Sequence, residues 1–387
     1  MLRFLTAGES HGPCLTAVIE GCPAGFALDL ATANEDMRRR MLGYGRGGRM
    51  KIEQDTIEIR SGIRFGETLG SPITFVVANR DWKNWEKKMS AFPEDRDPAL
   101  AVTRPRPGHA DLAGALKYHH DDVRNILERA SARETAARVA VGALAKALLA
   151  PFDIQVRGWV SEIGGIVADH SGKSVDTIFE ASERSETRMA DPAAEEKIIA
   201  YIDECKSRGD TLGGVVEVVA TGLPPGIGSH VHWDRKLDGR LGQALLGLQA
   251  VKGVEIGLGF ETARRPGSQV HDEIYFDEGT QAFTRKTNNA GGTEGGMTSG
   301  APLVVRVALK PLSTLMKPLH SVDLKTKAEA KGAIERSDVC AIPAAAVIVE
   351  AIVAFVLADA FLEKFGGDSL VEIERNYKGY LEQIQTV

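Results

Sequence analysis

RPRPGHADLAGALKYHHDDVRNILERASARETAARVAVGALAKALL, residues 104–149, joins an arginine-rich segment to a helix with no polar face. Ser131 and Glu134 have the spacing of a capping box, which predicts a helix starting at Ala132 and ending at Pro151. From Val139 onward nearly every residue is apolar, and a helix apolar all round is surrounded by protein. The N-terminus of that helix, with Arg129 and Arg133 alongside, suits a phosphate or carboxylate, because free N–H groups and the positive end of the helix dipole point there. An ordinary capped helix with solvated arginines would read the same way taken alone. Upstream, Pro105 and Pro107 hold the backbone extended, so Arg104 and Arg106 are expected to project to similar sides just before Gly108 and His109.

The rest of the chain supplies the context. Its 387 residues are 43% hydrophobic and 26% charged, the composition of a globular protein with ample material for a large core. A net charge of −6 argues against nucleic acid as a partner, since that requires a basic face. Yet residues 38–49, RRRMLGYGRGGR, hold five arginines, which suggests a small anionic ligand. The four cysteines, Cys14, Cys22, Cys205 and Cys340, have no paired spacing and read as reduced thiols. No signal peptide is legible in MLRFLTAGESHG, so a cytoplasmic location is expected. Val339 to Phe361 is long and apolar, but Glu350 in its middle and Pro343 near its start favour a buried helix over a membrane span. No membrane partner is expected.

Taken in order, residues 2–6 and 15–20 read as strands around GESHG, a turn that presents His11. A helix from Asp29 or Thr32 runs into Arg38, Arg39 and Arg40. The glycines of the following GYGRGG cost backbone entropy that a plain turn need not incur, and suggest a loop closing over a ligand. The strand TIEIRSG follows, then PITFVVA at 72–78, then a long polar stretch to residue 103 carrying Trp82 and Trp85 that reads as a functional or mobile loop. Further strands are expected near 154–168, at GVVEVVA and at LVVRVAL, with helices near 193–207, from about Asp234, and in RSDVCAIPAAAVIVE, 336–350. His119-His120-Asp121-Asp122 and His230-Val231-His232-Trp233-Asp234 lack the i, i+4 histidine spacing of a helical zinc site, and no metal is predicted. No dinucleotide fingerprint or P-loop is present.

The two halves echo one another. Gly21-Cys22-Pro23-Ala24-Gly25 matches Gly222-Leu223-Pro224-Pro225-Gly226, each after a strand. Gly70-Ser71-Pro72 matches Gly300-Ala301-Pro302, each before one, and Arg129-Ala130-Ser131 matches Arg336-Ser337-Asp338 at the two core-helix starts. This predicts a single domain over 1–387 that is internally pseudo-duplicated, the halves falling at about 1–151 and 152–387, with both helix starts facing one cleft.

Seven segments, in order, resemble the chorismate synthase family: GESHGPCLTAVIEGCP, RPGHAD, ERASARETAARVAVGAL, HVHWDRKLDGR, LQAVKGVEIG, GGTEGGMTSG and RSDVCAIPAAAVIVE. The resemblance implies an α/β fold of α+β type, a βαβ sandwich, and a homotetramer. It implies the 1,4-elimination of phosphate from 5-enolpyruvylshikimate 3-phosphate to give chorismate, with reduced FMN required, no net redox change, and NADPH as a source of reductant in some members. By resemblance, His11 would protonate the departing phosphate, His109 would sit by the reduced flavin's ring, and Asp338 would help the flavin N5 take the substrate proton. FMN contacts carry over to Arg129, Ala130, Ser131, Gln249, Ala250, Gly295, Lys310, Pro311, Leu312, Ser313, Thr314 and Arg336. Arg40 and Arg46 match positions that hold an anionic nucleotide or substrate; Arg49, Arg106 and Arg133 are assigned to the same anions. This chain has Met41-Leu42-Gly43 where some members have Pro-Gly after the arginine run.

The chemistry agrees with the composition. A substrate with two carboxylates and a phosphate, beside a cofactor with another phosphate, calls for clustered arginines in an acidic protein, and proton exchange near neutral pH suits histidine. Two other readings stay open on residues alone: a flavin oxidoreductase with net hydride transfer, and a non-enzymatic anion-binding protein.

Overall fold

A computed structural model describes residues 1–47, 54–279, 281–335 and 337–386. Period-two alternation builds two antiparallel sheets. The first contains β1 (Arg3–Ala7), β2 (Cys14–Glu20), β3 (Glu58–Ser61) and β4 (Ile73–Ala78) in the order β1-β2-β4-β3. The second contains β5 (Gln155–Ile163), β6 (Gly214–Thr221), β7 (Val251–Ile256) and β8 (Leu303–Leu309) in the order β5-β6-β8-β7, with the short strand Ile166–Val167 beyond β5. In each sheet the alternate residues point inward and are buried: Leu15, Ala17, Ile19, Ile73, Phe75 and Val77 in one, Val216, Val218, Ala220, Leu303, Val305 and Val307 in the other.

Between the sheets lies a layer of helices. The helix predicted from residues 132–151 is α4 (Thr135–Leu149), and the segment weighed as a membrane span is α8 (Ile342–Phe365). α4 packs against β1, β2 and β4, α8 against β5 and β6, and the two against each other, so the architecture is a sheet–helix–sheet sandwich. Their approach is close enough that Gly142 is obligatory, since a Cβ there would overlap the Cβ of Ala351. Buried residues of both sheets and both helices belong to one hydrophobic cluster. Among the described residues two helical stretches, 124–152 and 342–365, are long and apolar enough to cross a membrane, and an apolar 18-residue window of each is 72% and 89% buried in the fold.

Both halves also share a turn in atomic detail. Thr68 Oγ1 donates to Pro23 O (2.6 Å) and accepts from Phe26 N (3.0 Å), while its backbone pairs with Gly25 and Phe26. Thr298 Oγ1 donates to Pro224 O (2.6 Å) and accepts from Ile227 N (2.8 Å), with its backbone on Gly226 and Ile227.

Several local expectations change. The capping box is not closed: Ser131 Oγ accepts from Arg133 N (3.2 Å), a 3₁₀ turn fills Ala132–Glu134, and the α-helix begins at Thr135. Glu134 is drawn away by tertiary partners, Thr6 Oγ1 (2.7 Å), Gln249 Nε2 (3.1 Å) and Arg138 Nε (2.9 Å). The helix expected near Asp234 is α7 (Leu237–Leu246), preceded by a single 3₁₀ turn. The remaining helices are α1 (Leu30–Met41), capped by Asp29, α2 (Asp111–Tyr118), α3 (Arg124–Ala130), α5 (Val175–Arg184), α6 (Pro192–Arg208) and α9 (Leu370–Ile384). Periodicity alone missed α2, α3, α5 and α9, which are short or mostly polar. All four cysteines are free thiols.

Candidate active site

The starts of α4 and α8 open onto one cavity of about 890 Å³. Its walls come from the turn bearing Ser10 and His11, the 106–110 segment, the glycine loop after α1, the loop at Gly247–Ala250 and the strap Lys310–Thr314. Leu127, Leu248, Leu309, Ile342 and Ile348 form an apolar floor, and Arg40, Arg46, Arg106, Arg133 and Lys310 bring positive charge against the carboxylates of Glu335 and Asp338. Apolar and cationic lining together suit an anionic ligand with an apolar body.

The histidines and arginines of the wall are backed by carboxylates. His11 Nδ1 lies 3.0 Å from both oxygens of Glu128, whose Oε2 also accepts from His11 N (2.9 Å) and whose Oε1 accepts from Arg124 Nη1 (2.8 Å). Burial pushes the Glu128 carboxyl up, but the hydrogen bonds and charge of His11 and Arg124 outweigh it and hold it below the ordinary carboxylate range. One face of the His11 ring stacks on Trp85, centroids 3.8 Å apart at 24°. Trp85 comes from the 79–103 segment and is anchored by its Nε1 on Asp81 Oδ2 (3.1 Å). His109 Nδ1 is 2.5 Å from Asp111 Oδ1.

Arg133 grips Asp55 with both terminal nitrogens (2.5 and 2.7 Å). Arg40 reaches the same carboxylate (3.4 Å) and donates to Thr135 Oγ1 (3.0 and 3.1 Å). Both arginines line the cavity from a buried pedestal. Arg46 Nη1 pairs with Asp338 Oδ2 (2.9 Å), and Gly47 N donates to Asp338 Oδ1 (2.7 Å), so the glycine loop is fastened to the start of α8. Lys310 Nζ donates to Gly108 O, and Thr211 Oγ1 to Leu312 O (2.7 Å), fastening the strap along the cavity wall. Burial first, and then Lys252, pushes the Lys310 amine down.

Of the residues singled out in sequence, His11, His109, Asp338, Ala130, Ser131, Gln249, Ala250, Lys310, Pro311, Leu312, Ser313, Thr314, Arg40, Arg46, Arg106 and Arg133 line this one cavity. Arg129 does not. Its side chain, 44% exposed, is bound to Thr6 O (2.9 Å), Thr6 Oγ1 (2.7 Å) and Gly8 O. Gly295 sits in the turn of the hairpin Thr293–Glu294/Met297–Thr298, beside His230 and outside the cavity wall. Arg49 and Arg336 lie outside the described residues. Arg104 and Arg106 part company, the former exposed and the latter buried, because Asp111 draws the Arg106 guanidinium inward.

The family model described as chorismate synthase matches residues 2–362. The chain belongs to the chorismate synthase family. Among its relatives, the chorismate synthase of Geobacter metallireducens is 62% identical over the full length of both chains, and that of Geobacter sulfurreducens 60% identical, again with both fully covered. A solved structure titled as the crystal structure of chorismate synthase superposes with a TM-score of 0.81 at 45% identity, covering 100% of this chain and 99% of that one. The chain is accordingly a phosphate-eliminating lyase of the shikimate pathway, acting on 5-enolpyruvylshikimate 3-phosphate to give chorismate, and the family's reaction uses reduced flavin.

The carboxylates were the part that sequence reasoning passed over. Asp55, Asp111 and Glu128 are all buried behind cations, and Trp85 lies in a stretch with no regular periodicity. One signal was available for Glu128, namely Arg124 four residues before it on a helix face. Nothing local could have paired it with His11, which is 117 positions away.

Proposed function

We propose that the cavity binds reduced FMN together with the substrate, and that His11, His109 and Asp338 handle the protons of the elimination. The observation that carries this reading is the convergence of both turn-borne histidines, each on a buried carboxylate, with Asp338 in one cavity. Side chains of the wall support flavin binding. Gln249 Nε2 is spent on Glu134, so its buried Oε1, which lacks a partner among the described residues, is oriented to accept from a ligand N–H group. Ala250, at φ +69, turns the chain there, and Ser131, Ala130 and the strap 310–314 complete the proposed flavin contacts; Arg129, Gly295 and Arg336 remain assigned to it by resemblance only.

When bound, reduced flavin supplies electron density to the allylic system and recovers it, so the elimination has no net redox change. The protein's own groups do the rest. His11 holds a proton for the phosphate oxygen that leaves, His109 holds one beside the ring, and Asp338 assists uptake of the proton given up by substrate carbon. Arg40, Arg46, Arg49, Arg106 and Arg133 neutralise the phosphate and carboxylates, directly or through their pedestal, and the apolar floor keeps water from the reacting centre. In the same reading NADPH serves as the source of reducing equivalents, the enzyme works in the cytoplasm as a homotetramer without nucleic acid or membrane, and the single domain arose by duplication of units near 1–151 and 152–387. Equal strand order and the matching Thr68 and Thr298 turns support the duplication.

Strictly anaerobic turnover tests the proposal. With photoreduced FMN and no pyridine nucleotide, many products per flavin are expected, with activity stopping when air oxidises the flavin. One product per flavin, with the flavin left oxidised, would favour an oxidoreductase; binding without phosphate release would favour an anion-binding protein.

A further inference from the structure

Asp111 is the first residue of α2 and fully buried, yet it faces four donors: Arg106 N (3.0 Å), Arg106 Nε (2.9 Å), Arg106 Nη2 (3.1 Å) and His109 Nδ1 (2.5 Å). His109 Nδ1 also lies 3.1 Å from Arg106 Nη2. A guanidinium can only donate and a carboxylate can only accept, so these distances distinguish the two imidazole tautomers. Were Nδ1 a lone pair, it would accept from Arg106 but confront a carboxylate oxygen at 2.5 Å, acceptor against acceptor. With a proton on Nδ1, both His109 and Arg106 donate to Asp111 Oδ1 and every group is satisfied. Burial pushes the Asp111 carboxyl up, but His109 and Arg106 more than offset it and hold the group far below the usual carboxylate range, so the shared proton stays on the ring.

We infer that Asp111 and Arg106 are positioning residues that fix His109 as the Nδ1–H tautomer, so that Nε2 is the atom exchanging a proton with the ligand. Arg106 is itself held by Thr314 Oγ1, which accepts from Nη1 at 2.8 Å, so the strap that lines the cavity also orients the histidine. Arg106 thus also acts through Asp111, beside the positive charge it brings to the cavity. Among the described residues, Arg106 and Asp111 from its own segment contact the ring, and Lys310 from the strap binds the neighbouring Gly108 O.

The inference rests on the reading that His109 exchanges a proton in this site, and the test separates the two. Histidine-selective ¹⁵N labelling of the full-length wild-type enzyme, with His109 assigned by its absence from His109→Gln, should show at alkaline pH a protonated Nδ1 and an unprotonated Nε2. The opposite pattern, or a mixture of tautomers, overturns the inference even if His109 proves essential. Asp111→Asn keeps the shape but offers Nδ1 an N–H donor, and should shift the ring to the Nε2–H form. Its kcat should fall by about 10²- to 10⁴-fold while KM and FMN affinity stay within a few-fold. Unchanged kcat, or a loss of kcat with the tautomer unaltered, would leave Asp111 a merely structural carboxylate. If Asp111→Asn does not fold, the wild-type spectrum alone decides. Normal turnover in His109→Ala would instead defeat the proton role while leaving the tautomer assignment standing.

Discussion

Replacing Glu350 by Gln should destabilise the enzyme by about 3 kcal/mol, close to the lower end of the roughly 3–5 kcal/mol seen when one member of a buried ion pair is removed. The side chain, 1% exposed in the middle of α8, accepts from Arg39 Nη1 (2.8 Å), Arg39 Nη2 (3.1 Å), Lys146 Nζ and Gly158 N (2.8 Å). Through Arg39 the cluster extends to Asp36 (2.7 Å) and Glu183 (2.8 Å), so one carboxylate joins α1, α4, α5, α8 and β5. Burial pushes the Glu350 carboxyl up, but Lys146 and Arg39 overcome it and bring it from 4.5 to about 2. At about 1.4 kcal/mol per tenfold change in acidity, that difference is worth roughly 3 kcal/mol. With an unfolding entropy of roughly 2.1 cal/mol/K per residue, a chain of this length should lose about 4 °C in Tm. The sign follows from a depressed folded value: the contribution is complete above pH 4.5 and is lost as pH falls towards 2. Wild type and Glu350→Gln compared by calorimetry at pH 7 and at stepwise lower pH should therefore converge in acid. Equal Tm values at neutral pH, or a difference that does not shrink in acid, would refute the reasoning.

Three further outcomes are expected. His11→Ala should lose about 10²- to 10⁴-fold in turnover with substrate affinity retained, and a normal rate would return GESHG to the status of a structural turn. Arg46→Ala, which removes a charged group from the cavity wall, should weaken substrate or nucleotide binding by about 1.5–3 kcal/mol, with raised ionic strength mimicking part of the loss; unchanged affinities would make the loop a structural clasp on Asp338. Thr68→Val and Thr298→Val each strand a buried proline carbonyl and a buried N–H group, so each should cost about 1–3 kcal/mol in denaturant unfolding, and the two costs should match if the turns are equivalent.

The sequence by itself determined the layers. The short apolar runs PITFVVA, GVVEVVA and LVVRVAL read as buried strands, and the all-round apolarity of 139–149 and 342–362 reads as helices enclosed by protein, as a sheet–helix–sheet core requires. The ordered motifs also named most residues of the cavity, because turns rich in glycine, proline and histidine are local signals. What only the tertiary structure decided was pairing. Whether Glu134 returns to cap its own helix or turns to Thr6 and Gln249, and whether Arg106 projects with Arg104 or folds onto Asp111, depends on groups far away in sequence or on energies that local spacing does not reveal. The same holds for the burial of Asp55 beneath Arg133, 78 positions on, and of Glu128 behind His11. A buried charge must find its counter-charge wherever the fold brings one, and that requirement acts through space, with no imprint on the spacing of the chain.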